Sequence, residues 1–215
     1  MGKSTLLRSL SGVQDILSGE VFINGSPLKK LSSQQLAEQI SVVLTEQPIS
    51  KNLSVFELIA LGRQPYTNWI GTLSPNDIGH IKQAIKLVDI ESIQYKKCYE
   101  LSDGQLQKAL IARALAQDTP LVILDEPTTH LDIYHQAYVL KLLKSLSFQT
   151  KKSILFSTHE INLALQLCDR IILMEKNHVT IGSPSELIEN DVFSNLFPSD
   201  LIVFDKISNS FKIKT

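Results

Sequence analysis

Residues Leu121-Val122-Ile123-Leu124 run straight into Asp125-Glu126-Pro127. An uninterrupted apolar run this short reads as a strand buried in a sheet. Its abrupt end in two carboxylates puts negative charge where the strand leaves the sheet. On either side the chain alternates in texture. Ile40 to Leu44 and Ser153 to Phe156 read as strands, Ile133 to Leu146 and Glu160 to Leu167 as helices. Arg170 to Met174 and His178 to Ile181 read as strands, and Ser185 to Glu189 as a helix. Strands alternating with helices predict an α/β fold with a mostly parallel sheet.

The N-terminal part follows the same rule. A helix follows Gly2 and stops near Gly12, and a strand from Gly19 to Ile23 closes at the turn residues Asn24-Gly25. Ser33 to Gln39 is a short helix capped by serine. Between Leu53 and Gln117 the alternation breaks. Ser54 to Leu61, Pro75 to Val88 and Ser102 to Ala116 all read as helices, with serines at their starts and Gly62 closing the first. The expected organisation is one domain, with residues 1–52 and 118–215 as core and 53–117 as an inserted helical subdomain. The tail, Leu201 to Asp205 and Phe211 to Lys214, reads as a hairpin around Ser208-Asn209-Ser210.

Composition narrows the function classes. Lys+Arg is 21 and Asp+Glu is 22, a net charge of -1, so no excess of positive charge drives binding to nucleic acid or an anionic membrane surface. No apolar run is long enough to span a bilayer. Cys98 and Cys168 lie far apart, without CxxC spacing, which fits free thiols in a reducing cytosol.

Four short segments carry chemistry. Gly2-Lys3-Ser4-Thr5 opens the first helix. In a P-loop, backbone N–H groups at such a helix start wrap phosphates, the lysine reaches the β- and γ-phosphates, and the hydroxyl ligates Mg²⁺. Only the last four positions of that motif are present, because its first glycine would fall before Met1. Alone, GKST is equally what a capped helix with a surface lysine shows. Asp125 and Glu126 supply the second segment: a strand-end aspartate holds Mg²⁺ through water, and the adjacent glutamate polarises an attacking water. Third, Leu101-Ser102-Asp103-Gly104-Gln105 offers a hydroxyl and helix N–H groups to an anion. Fourth, Ser157-Thr158-His159-Glu160 follows a strand, and a histidine at the carboxyl end of a parallel strand faces the ligand crevice.

In this order, with a helical lobe between the first two, the four segments resemble the ATP-binding subunit of an ABC transporter. LSDGQ stands where that family has LSGGQ, LVILDEPT matches its Walker B strand, Thr129-His130-Leu131-Asp132 its D-loop, and Ser157-Thr158-His159 its switch histidine. The resemblance covers essentially the whole chain. Glu57-Leu58-Ile59-Ala60-Leu61-Gly62-Arg63-Gln64-Pro65-Tyr66 is similar to the ELVALGRxP stretch of ATPases that import iron–siderophore complexes, haem and vitamin B12. EPTTHLD and THEINLA are similar to that group's EPTxHLD and THDLNLA.

The resemblance implies a P-loop NTPase core and an ATPase that works as a head-to-tail dimer sandwiching ATP and Mg²⁺. Gly2, Lys3, Ser4 and Thr5 would hold the phosphates of one ATP; Ser102, Gly104 and Gln105 of the other copy would close over its γ-phosphate. Ser4 and Asp125 would hold Mg²⁺. Glu126 would activate water, His159 would hold the γ-phosphate, and Asp132 would connect the two halves. Asp103, where the family has glycine, should point away from the phosphates. A glutamine sensing Mg²⁺ is expected after the strand at Ile40. Ungapped counting reaches Thr45, so either the loop shifts and Gln47 serves, or the glutamine is absent. The partners implied are a second copy, a membrane permease docked on the helical lobe and, indirectly, a periplasmic or lipoprotein substrate-binding protein, with no nucleic acid. The location implied is peripheral, on the cytoplasmic face of the membrane. Relative to the family pattern the first strand, the first P-loop glycines and an aromatic for adenine precede Met1, so a chain truncated at its N-terminus is expected. The competing readings are an ATPase-impaired remnant that only docks on a permease, and a soluble ABC ATPase unlinked to transport.

Overall fold

A computed structural model describes residues 2–44, 50–175, 178–194, 196–197 and 201–214. The chain divides into two compact units, one of Ser4–Ser157 and one combining Met1–Lys3 with Thr158–Thr215.

In the larger unit β3 (Ile40–Val43), β4 (Leu121–Leu124) and β5 (Ser153–Phe156) form a parallel sheet in that order. The register pairs Val43 with Leu124 and Leu124 with Phe156. β4 lies in the middle, and its Val122, Ile123 and Leu124 are buried, as the unbroken apolar run requires. The ladder continues one residue past the strands: Asp125 N–H donates to the Val43 carbonyl and Ser157 N–H to that of Leu124. Leu7 of α1 (Lys3–Leu10) packs with Ile40 and Ile123, flanked by Leu10, Ile23, Leu36 and Leu155. α6 (Ile133–Thr150) buries Val139, Leu140, Leu143 and Leu146, one stripe at helical spacing. It runs beyond the expected end at Leu146 and stops at Lys151, whose φ of 56° is left-handed.

The strand expected at Gly19 to Ile23 shortens to β1 (Phe22–Ile23), paired with β2 (Ser26–Pro27). Asn24 and Gly25 both have positive φ, as a two-residue hairpin turn of this hand demands. The ladder ends early because a 3-10 turn begins at Leu28. α2 is Ser33–Ala37, capped by Ser32.

Among the described residues between β3 and β4 lie three α-helices: α3 (Val55–Ala60), α4 (Pro75–Leu87) and α5 (Asp103–Ala116). Ser54, Ser74 and Ser102 each cap one, accepting from the backbone N–H three residues on. Gly62 does not close α3, which passes directly into a 3-10 segment, Leu61–Tyr66. Its reason is proximity: a Cβ on Gly62 would lie 2.2 Å from the carbonyl oxygen of Arg113 on α5. The next residue, Arg63, is buried. Its Nε donates to Asp77 Oδ1 at 2.9 Å, one terminal nitrogen donates to the Ala116 carbonyl at 2.8 Å, and its Cζ lies 4.0 Å above the Tyr66 ring. The glycine, arginine and tyrosine of the GRxPY stretch thus join α3, α4 and α5.

The smaller unit contains α7 (Ile161–Leu167), the antiparallel hairpin β6 (Ile171–Met174) and β7 (Val179–Gly182), α8 (Pro184–Glu189), and the tail hairpin β8 (Ile202–Asp205) and β9 (Ser210–Ile213). Its core gathers Leu165, Leu187 and Phe193 with Leu173, Phe204 and Phe211. Asn162 ties α7 to β9, accepting from the Phe211 N–H and donating to its carbonyl. The tail hairpin forms as expected, with Ile202 opposite Ile213.

The Arg63–Asp77 pair gives a stability test. The Ser74 hydroxyl, then the Ser74 N–H and Arg63, hold the Asp77 carboxyl down to about 2, against burial, which raises it. A carboxylate with a lowered folded pKa stabilises the fold above its unfolded value near 3.8, and that contribution is lost as pH falls toward 2. Arg63→Ala should cost about 3–5 kcal/mol in urea denaturation at neutral pH, since it leaves a buried carboxylate unpaired. A loss below about 0.5 kcal/mol would refute the structural role given to Arg63. Asp77→Asn should flatten the stability profile between pH 4 and pH 2.

Candidate functional site

The sheet places two side chains side by side. Because β4 and β5 are parallel and in register, the residues just past their carboxyl ends, Asp125 and Ser157, are neighbours. Ser157 Oγ donates to Asp125 Oδ1 at 2.7 Å. Ser4, in the first turn of α1, donates its Oγ to the same oxygen at 3.0 Å. Asp125 is 3% exposed, so these hydroxyls stand in for much of the water that a carboxylate loses on burial.

Glu126 follows at the turn out of β4. Its φ is 48°, in the left-handed region that a non-glycine residue occupies only when the surroundings hold it there. Two contacts do so: its N–H donates to Ser157 Oγ at 2.9 Å, and its Oε2 accepts from Thr129 Oγ1 at 3.1 Å. Glu126 is half-buried, whereas Asp125 is buried. Two adjacent carboxylates thereby occupy different settings.

In the smaller unit Gly2 has φ of 98°, a conformation that favours glycine. Lys3 Nζ lies 3.3 Å from His159 Nε2 and 3.5 Å from Nδ1. An ammonium beside an imidazole is a basic point suited to an anion. Thr158 Oγ1 accepts from Glu160 N–H and shapes the turn behind the histidine.

The Ser102–Gln105 segment forms the start of α5. Ser102 Oγ accepts from Gln105 N–H while Gln105 Oε1 accepts from Ser102 N–H. Ser102 and Asp103 are exposed, Gly104 and Gln105 half-buried. Asp132 caps α6, its Oδ1 accepting from His135 N–H at 2.8 Å, and both its oxygens lie 2.9 Å from His135 Nδ1. The backbone N–H of His135, then its ring, hold the Asp132 carboxyl below the usual range. Thr5 is exposed on α1. Gln47 lies outside the described residues.

The structure therefore brings Ser4, Asp125 and Glu126 into one network and sets Lys3 beside His159. Ser157, Thr129 and His135 are contributors that the motifs alone did not single out. For Ser157 a signal existed: a serine one residue past a strand that runs parallel to the Walker B strand.

Residues 1–129 match the family model described as ABC transporter. The petrobactin import ATP-binding protein YclP of Bacillus subtilis is 36% identical over 197 residues, 91% of this chain and 77% of that protein. A transporter assigned to the metal-chelate type and solved in an inward-facing conformation superposes with a TM-score of 0.77 at 27% identity, over 98% of this chain and 79% of that one. An ABC transporter cassette solved as a dimer superposes with a TM-score of 0.71 at 27% identity, over 85% of this chain and 81% of that one.

Ser157→Ala tests the network. It removes a donor to Asp125 and the acceptor of the Glu126 N–H together. The expected cost is about 1–3 kcal/mol of stability, the penalty for a buried polar group left unsatisfied. Chemical denaturation measures it, and an unchanged midpoint would show that Ser157 does not hold this corner.

Proposed function

This chain belongs to the ABC transporter family of ATP-binding proteins, and on that premise we propose that it is the ATP-hydrolysing subunit driving import of an iron chelate, of siderophore, haem or cobalamin-like class, through a membrane permease. The observation that carries the catalytic part is the convergence of Ser4 and Ser157 on Asp125 Oδ1, with Glu126 next to it in a held turn. The chelate class is supported by the Glu57–Tyr66, EPTTHLD and THEINLA stretches and by the names of the similar proteins, a petrobactin importer and a metal-chelate type transporter.

The roles follow from the chemistry of each group. Gly2, Lys3, Ser4 and Thr5 present N–H groups, an ammonium and hydroxyls to the phosphates at the start of α1. Ser4 Oγ and the Asp125 carboxylate are hard oxygen donors, the kind of set that Mg²⁺ takes, and these two would hold it. When bound, Mg²⁺ neutralises charge on the phosphates. Glu126 orients and activates the attacking water, with Thr129 fixing its carboxylate. His159 holds the γ-phosphate beside Lys3. Ser102, Gly104 and Gln105 close over the ATP of a second copy, where the helix start and the Ser102 hydroxyl balance phosphate charge. Asp132 lies on the path between the two halves of such a dimer. Of the two readings for the glutamine, this proposal takes the one in which Gln47 would serve the Mg²⁺ site.

Among the described residues no helix is long and apolar enough to cross a membrane. In this proposal, by its family, the subunit sits on the cytoplasmic face, docked through the helical subdomain, residues 53–117, on a permease fed by a substrate-binding protein. ATP binding closes the dimer and hydrolysis opens it.

Glu126→Gln should lower phosphate release by about 100-fold or more while ATP remains bound, because it removes the base and keeps the phosphate contacts. Near-normal release would overturn the role of Glu126. Mixing Ser102→Arg with Lys3→Ala subunits should restore one composite nucleotide site, and a mixture binding no better than either alone would refute the trans arrangement. Uptake of radiolabelled iron chelate should stop in cells lacking the gene and return with it.

A further inference from the structure

His135 has no part in the roles given above, yet it is held from one side and in close contact on another. Its Nδ1 lies 2.9 Å from both Asp132 oxygens. A carboxylate only accepts, so Nδ1 carries the proton and the ring orientation is set. Tyr134 meets the same ring edge-on, with centroids 5.4 Å apart at 88°. The other edge of the ring faces Gly104. A Cβ built there would lie 3.1 Å from His135 Cδ2, 3.7 Å from Cγ and 3.8 Å from Nε2. Gly104 is not among the glycines of positive φ, so its backbone conformation does not call for glycine. A Cβ here would crowd the ring by a few tenths of an ångström, which gives a spatial reason for glycine at this position.

We propose that His135 is a positioning residue: clamped by Asp132, it braces Gly104 and so fixes the Ser102–Gln105 turn in the orientation that receives the γ-phosphate. The proposal rests on the trans role of that turn. It makes Asp132 act on the Ser102–Gln105 turn of its own chain, through one ring, in addition to any contact with a second copy. Displacing a group that binds a transition state by about 1 Å is enough to cost about 100-fold in rate, so a side chain that sets one helix start by direct contact can matter without touching ATP.

The test compares His135→Ala, His135→Asn, Asp132→Ala and the double variant Asp132→Ala/His135→Ala in the full chain, with Ser102→Arg as control. Turnover, binding of a fluorescent ATP analogue and melting temperature are read for each. In His135→Ala, kcat should fall about 10-fold or more while nucleotide Kd stays within about two-fold, since the phosphate contacts of its own subunit are intact. His135→Asn keeps an N–H toward Asp132 and should recover part of the lost turnover. The double variant should be no slower than the worse single variant, as expected for residues acting as one unit. A His135→Ala protein with wild-type kcat overturns the proposal, as does full additivity in the double variant. If His135→Ala fails to fold, His135→Asn decides alone: kcat lowered at unchanged Kd supports the brace, and wild-type kcat refutes it. If Ser102→Arg itself turns over normally, the trans role of the Ser102–Gln105 turn fails; if Ser102→Arg is inactive and His135→Ala normal, only the brace fails.

Discussion

A buried carboxylate is tolerable only when donors replace the water it has lost, and Asp125 takes two hydroxyls for that purpose, from Ser4 and Ser157. Much else in the larger unit depends on those two bonds. Ser157 reaches Asp125 only because β4 and β5 run parallel in one register. Ser4 reaches it because α1 packs Leu7 on Ile40 and Ile123, which brings its first turn to the carboxyl end of the sheet. A slip of one residue between β4 and β5 would turn Ser157 to the opposite face and bury Asp125 without its partner. The apolar core and the polar site are therefore set by the same strand register.

Glu126 shows how one backbone turn separates two identical chemistries. A continued strand would have sent its side chain to the face opposite Asp125. The left-handed turn, held by Ser157 and Thr129, leaves it half-buried, where a carboxylate can meet water. Asp125 stays in the network of hydroxyls and Glu126 stays at the edge. Strain of order 1–3 kcal/mol at such a position is borne by the surrounding contacts, not by the residue itself.

Most of this was legible in the sequence where physics is local. β3, β4, β5 and the caps at Ser54, Ser74 and Ser102 follow from apolar runs and serine placement, and they lie within a residue or two of expectation. Asp125 and Glu126 were legible because two charges directly after an apolar strand have few structural uses. Gly62 was not. As a sequence signal it reads as a helix stop, whereas in the fold it lets the α3 segment approach the Arg113 carbonyl, a contact made across 51 residues of chain. Arg63 was visible only as part of a resemblance, and its burial between Asp77 and Ala116 depends on tertiary packing that no spacing rule encodes. The partner of Ser157 is set by strand register, whereas Thr129 and His135 lie three residues from Glu126 and Asp132, a local spacing that the motifs do not mark.

The GRxPY stretch illustrates how a motif that suggests a cargo can have a mechanical use. Gly62, Arg63 and Tyr66 lie within the helical segment and make their contacts there, with Arg113, Asp77, Ala116 and one another. None of those contacts requires a chelate. What they do is fix α3 and α4 to α5, the helix whose first turn is Ser102–Gln105. If that turn receives a phosphate, its orientation is set from two sides: by Arg63 and Gly62 near the far end of α5, and by His135 at the near end. Contacts at its two ends thus tie α5 to α3 and α4 at one end and to His135 of α6 at the other.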